Sequence, residues 1–202
     1  MATVDPLVPA PVSPPGWVPR APAHVPGAHT RGGNAMMRTR AGLLDGAIRA
    51  FAERGLRRST MQSVAAAAGV AKATLYNHFR TKDDVARALL AAEVDRLATS
   101  VTGLPAAAAL GVLAEEVAGH PVLRRLAADE PEALVALLGV PAARWSEVVA
   151  RLAEALGGVD AAAAEVVAAW LAGLVLQPGE PASRAEAAAR LAVLLPPGDT
   201  PA

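Results

Sequence analysis

Cysteine is absent from the 202 residues, which removes disulfides, thiolate metal sites and cysteine nucleophiles at once. Aromatic residues are scarce, with three Trp, two Phe and one Tyr. The abundant Ala, Leu and Val that replace them suit close-packed helices, so the composition points to an all-α chain of one or two small domains. Chemistry-bearing side chains are also thin. Of four histidines, His24 and His29 lie among prolines, and His120 stands alone before Pro121 as a helix-boundary residue. The fourth, His78, falls in the motif described below. There is no nucleophile elbow, phosphate loop or His/carboxylate ligand spacing. The chain therefore reads as no enzyme, with no catalytic residue, metal site or cofactor to nominate. A long apolar run is missing too. The stretch 160–177 is apolar except for Asp160 and Glu165 and ends at Pro178-Gly179, short of the roughly 20 residues a membrane span needs. No charged start followed by an unbroken apolar run marks a secretory signal, and the expected setting is cytoplasmic.

Net charge is zero as well, but it is divided unevenly. Residues 36–100 hold eleven Lys or Arg against six Asp or Glu, and residues 101–202 hold six against twelve. A basic module joined to an acidic one suits a DNA reader with a separate regulatory body, because neutralising phosphates supplies most non-specific affinity for DNA.

Proline and glycine divide the chain further. Residues 1–35 carry eight prolines and show no helical or strand period, so they are expected to form a disordered tail unable to bury enough apolar surface to offset ordering. Trp17 within it reads as an incidental apolar residue. An alternative start at Met36 or Met37 fits the same break. Residues 36–83 form the first expected domain and residues 84–202 the second. In the second, His120-Pro121, Glu130-Pro131, Val140-Pro141, Gly157-Gly158 and Pro178-Gly179 mark helix boundaries. They predict helices near 105–118, 122–128, 132–138, 142–156, 160–176 and 182–195.

In the first domain, Leu43, Leu44, Ala47, Ile48, Phe51 and Ala52 form an apolar stripe that predicts a helix over 40–54. Arg38 and Arg40 before it either reach the DNA backbone or minor groove or are simply solvated. Ser59 and Thr60 offer capping hydroxyls to a helix of about two turns, in which Val64, Ala65 and Ala68 recur at buried-face spacing. Gly69 can take the left-handed conformation that stops it. Val70 packs under the turn, and a further helix begins at Ala71 with Leu75 and Phe79 inward. Its other face offers Lys72, Thr74, Tyr76, Asn77 and His78, donors suited to phosphate oxygens and base edges. Thr81 opens the next helix, with Asp83 and Asp84 favoured by its dipole. Lys82 opposes that dipole, and a neighbouring phosphate would explain it.

The run Thr74-Leu75-Tyr76-Asn77-His78-Phe79 followed by Thr81-Lys82-Asp83-Asp84, with Ile48 to Leu56 upstream, resembles the TetR-type family of bacterial one-component transcription regulators from about Arg38 to Leu97. Ala71 departs from the family's usual Ser, and Ala73 sits where Gly, Pro or Ala is usual. The resemblance implies a three-helix helix-turn-helix DNA-binding domain followed by a helical ligand-binding and dimerisation domain, with the helix after Thr81 as connector. It implies a homodimer on a palindromic operator of double-stranded DNA, most often as a repressor, and release by a small, apolar effector. Thr60, Thr74, Tyr76, His78 and Lys82 would hold phosphates, Lys72 and Asn77 would approach bases, Gln62 could reach either, and Ala73 completes the DNA-facing set. The last two helices would pair two subunits. Of their stripes, Val167, Trp170, Leu171, Leu174 and Ala187, Leu191, Leu194, Leu195, periodicity alone leaves open whether they face a partner or their own core. Trp145, Trp170, Arg124, Arg125, Glu115 and Glu116 are candidates for an effector pocket, although spacing favours reading them as core tryptophans and solvated charges. Repressor and activator, and a ligand-independent or architectural DNA-binding protein, remain open at this point.

Overall fold

The computed structural model describes residues 31–195, with side chains from Thr39 onward. The readings placed on residues 1–30, Trp17 included, and on the side chain of Arg38 lie outside the described residues. Ten helices are present among the latter and no strand: α1 (Arg31–Arg58), α2 (Met61–Ala68), α3 (Lys72–His78), α4 (Lys82–Val101), α5 (Ala106–Gly119), α6 (Pro121–Asp129), α7 (Pro131–Leu138), α8 (Ala142–Ala155), α9 (Ala161–Leu176) and α10 (Pro181–Leu194). The chain is all-α. The prolines at 121, 131 and 181 each sit in a first helical turn, where the missing N–H has no helical partner to lose. That is why Pro121 and Pro131 marked the starts of α6 and α7 in the sequence.

Helix α1 begins at Arg31, ahead of the boundary read at residue 36, and is interrupted at Gly55 (φ 75°, ψ 174°). The side chain of Ser59, expected as a cap, turns inward instead. It is buried and its hydroxyl lies 2.6 Å from the Gly55 carbonyl and 3.2 Å from that of Ala50, closing the end of α1. The cap of α2 is Thr60, whose Oγ1 accepts the Ser63 N–H (3.1 Å) while Ser63 Oγ accepts the Thr60 N–H (2.9 Å). Such reciprocal capping satisfies donors that the first turn leaves without partners.

Two apolar cores organise the molecule. The first joins Leu43, Ala47 and Phe51 of α1 to Val64, Leu75 and Val85, and then runs on into the body through Leu126 and Leu134. The second packs Val101 against Leu110, Leu113, Leu152, Ala164 and Val167. Burying one Leu or Val contributes about 1.5–3 kcal/mol, so the shared first core ties the helix-turn-helix firmly to the body behind it. Val167 and Leu174 face the core of this chain. The outward face of α9 is a different stripe, Val166, Ala169, Gly173 and Leu176, and on α10 Val193 and Leu194 are also exposed.

The N-terminal helices and the body also meet through polar contacts. Glu130, between α6 and α7, is buried and its Oε2 accepts the Arg57 N–H at 2.9 Å. The Arg57 guanidinium pairs with Glu132, and its carbonyl accepts from Lys82 Nζ at 3.3 Å.

Candidate nucleic-acid interface

Helix α3 is short because both of its ends are determined locally. Gly69 at φ 70°, ψ 27° stops α2, and its N–H donates back to Ala65 and Ala66. Only a residue without Cβ takes that conformation at no steric cost. Val70 N–H donates to Ala65 O at 3.0 Å, completing the turn. Ala71 is the N-cap of α3 in an extended conformation and supplies no side-chain acceptor. Leu75 and Phe79 are buried, at 0% and 4% exposure, and so orient the helix.

With those two side chains inward, Lys72, Ala73, Tyr76 and Asn77 share the exposed face, and Thr74 and His78 flank it half-buried. Lys72 Nζ lies 5.6 Å from the Tyr76 ring centroid, a cation–π contact that gathers both donors on one side. Thr60 and Gln62 are exposed at the start of α2. Lys82 is half-buried at the start of α4, and its bond to the Arg57 carbonyl leaves further ammonium hydrogens for an anion. Thr81 caps α4 by accepting the Asp84 N–H at 3.1 Å, and hydrogen bonding with Thr81, through its side chain first and its backbone N–H second, aided by Arg87, holds the Asp84 carboxyl below its usual range. Arg40 stacks its guanidinium 4.8 Å from the centroid of the Phe79 ring, which gives it a packing role that periodicity could not reveal.

A cavity of about 180 Å³ is walled by α4 to α9 and by Phe51 and Leu56 of α1. Of the residues nominated for a pocket, Trp145 and Glu116 line it and Trp170, Arg124, Arg125 and Glu115 do not. Glu115 instead forms a two-pronged pair with Arg184 (2.9 and 2.7 Å), which draws its carboxyl pKa down and fastens α5 to α10. Arg125 pairs with Asp129 at 2.9 Å. Glu93 and His120 also line the cavity and were not nominated, since nothing in local spacing brings the middle of α4 to the end of α5. His120 is 6% exposed, and its Nδ1 accepts the Leu123 N–H at 3.4 Å as the cap of α6. Burial, reinforced by the nearby Arg96 charge, lowers its pKa to about 4, so the ring is neutral at pH 7.

Residues 43–89 match the family model for bacterial regulatory proteins of the tetR family. The chain is 44% identical over 55 residues to the HTH-type transcriptional repressor KstR2 of Rhodococcus jostii, covering 27% of either chain. It is 42% identical over 52 residues to the HTH-type transcriptional regulator TtgR of Pseudomonas putida, covering 26% of this chain and 25% of that one. It thus spans about a quarter of the length of these curated relatives. The fold extends further. The crystal structure of the TetR family repressor AlkX from a Dietzia species, implicated in biodegradation of n-alkanes, superposes with a TM-score of 0.59 at 20% identity, over 77% of this chain and 94% of that one. Both curated relatives are named as transcription regulators. Residues 43–89 thus carry the helix-turn-helix of the tetR family of bacterial regulatory proteins, and the helical body behind them shares the fold of a TetR family repressor.

Proposed function

We propose that this protein is a cytoplasmic, dimeric, sequence-specific DNA-binding repressor, released from a palindromic operator by a small apolar effector. The observation that carries the reading is the exposed face of α3, where Lys72, Tyr76 and Asn77 stand together while Leu75 and Phe79 hold the helix in place. Residues 36–83 act as the DNA module and residues 84–202 as the regulatory and dimerisation module. Lys72 and Asn77 read base edges in a major groove, Ala73 allows close approach, and Gln62 reaches a base or the backbone. Thr60, Thr74, Tyr76, His78 and Lys82 bind phosphates and set the register.

Dimerisation through α9 and α10 is supported by their outward apolar stripes, whose small Ala169 and Gly173 permit close helix contact. Effector control is supported by the cavity, because α4 supplies part of its wall and also begins at Lys82. A second route runs through Glu130, which sits between two helices that line the cavity and bonds Arg57 at the end of α1, whose carbonyl holds Lys82. The effector must bind the DNA-incompetent state more tightly, since equal affinity would shift nothing. Operator DNA must then weaken effector binding by the same factor. A ligand-independent architectural protein would have no use for such a cavity.

Footprinting of the full chain on the DNA upstream of its own gene tests the proposal. Two protected patches on one duplex face, with a palindromic sequence beneath them, are expected. Uniform protection at every sequence would refute it in favour of the architectural protein.

A further inference from the structure

The cavity wall is apolar except at one end, where Glu93, Glu116 and His120 come together. Arg96 locks this cluster. Its Nε donates to Glu93 Oε2 at 2.8 Å and its Nη2 to Glu116 Oε2 at 2.9 Å, while His120 Nε2 lies 3.7 Å from the same Glu93 oxygen. Arg96 itself is not part of the wall; the wall presents the two carboxylates and the imidazole. One guanidinium offsets one of two carboxylates, and the neutral imidazole adds no charge. The polar end of the cavity therefore carries net negative charge in apolar surroundings, and two of the Arg96 nitrogens are already committed to those carboxylates.

We infer that this cavity takes an apolar molecule about one ring in size whose polar end is a cation or hydrogen-bond donor, and that it rejects carboxylates. The inference rests on the effector reading given above. Size follows from volume: an apolar cavity of about 150 Å³ holds one benzene, so about 180 Å³ admits a ring with a short chain. Charge follows from desolvation. A carboxylate placed beside Glu93 and Glu116 would lose its hydration and meet like charge, whereas an ammonium or hydroxyl there finds acceptors.

The test uses four probes with one skeleton, 4-phenylbutylamine, 4-phenylbutan-1-ol, 4-phenylbutanoate and butylbenzene, titrated calorimetrically into the full chain at neutral pH. The amine and the alcohol are expected to bind, with the carboxylate at least tenfold weaker than the amine. Glu93→Gln combined with Glu116→Gln should reduce the amine-to-carboxylate ratio about tenfold and leave butylbenzene affinity unchanged. Should the double variant fail to fold, Glu116→Gln alone, at the more exposed of the two sites, should reduce the same ratio. Carboxylate binding equal to or tighter than the amine would overturn the charge inference while leaving the effector cavity standing. Failure of all four probes to bind would overturn both.

Discussion

The carboxylate of Glu130 occupies the place where a side chain on Gly55 would begin: a Cβ built there overlaps Glu130 Oε1. Gly55 also holds φ at 75°, so two separate constraints disfavour any other residue. The contact joins the end of α1 to the α6–α7 junction, and the same carboxylate accepts the Arg57 N–H.

Gly55→Ala should therefore destabilise the fold by at least about 1–3 kcal/mol from backbone strain alone, measurable by urea or thermal unfolding. Glu130→Ala should also destabilise, by about 1–3 kcal/mol, through the Arg57 donor left without its partner. The double variant should lose less than the sum, because removing Glu130 clears the space that an alanine at 55 needs. Strict additivity would show that the overlap carries no energy.

Ala71 leaves α3 without a side-chain cap although its backbone is extended, as a cap requires. Ala71→Ser should stabilise the protein by about 0.5–1 kcal/mol, raising Tm by about 1–4 °C for a chain of this size. A lowered Tm would mean that the hydroxyl cannot reach the free N–H groups of the first turn.

His120 makes stability depend on pH in a definite window. Its folded pKa of about 4 lies below the ordinary 6.5, so the unfolded chain binds the proton first and stability falls as pH drops from about 6.5 towards 4. The full loss is about 3 kcal/mol. His120→Asn, which keeps an acceptor for the Leu123 N–H, should flatten the profile in that window when unfolding is followed from pH 7.5 to 4.5. An unchanged slope would place its origin in other groups.

The two lysines of the proposed interface should separate in their effects. Lys82→Ala should weaken binding to all DNA sequences and lower the salt slope by about one, whereas Lys72→Ala should also relax preference at one base pair. Salt titrations on a preferred duplex and on its single-base variants measure both. A changed sequence preference with an intact salt slope for Lys82→Ala would exchange the two roles.

Much of this was legible because it is local. Thr60 as a cap, Gly69 as a stop, Leu75 and Phe79 as an inward pair, and proline at the first turns of α6 and α7 all act within a few residues of chain. The exposed set of Lys72, Tyr76 and Asn77 follows from that inward pair by helical period. What escaped depends on chain crossings. Glu130 meets Arg57 across 73 positions, and Glu93 meets His120 only once α4 packs on α5. On α9 an inward and an outward stripe are both apolar, so hydrophobicity could not tell Val167 from Val166; their burial, 0% against 56% exposed, does.

Selection of duplexes from a random library by the full chain, followed by affinity measurement at fixed salt, tests the central claim most directly. Sequence-specific recognition by paired α3 helices predicts enrichment of a palindrome with half-sites about one helical turn apart or a multiple of it. Binding to the enriched duplex should be at least about 10³-fold tighter than to random DNA. An unenriched pool, with affinity that depends on salt but not on sequence, would contradict the account.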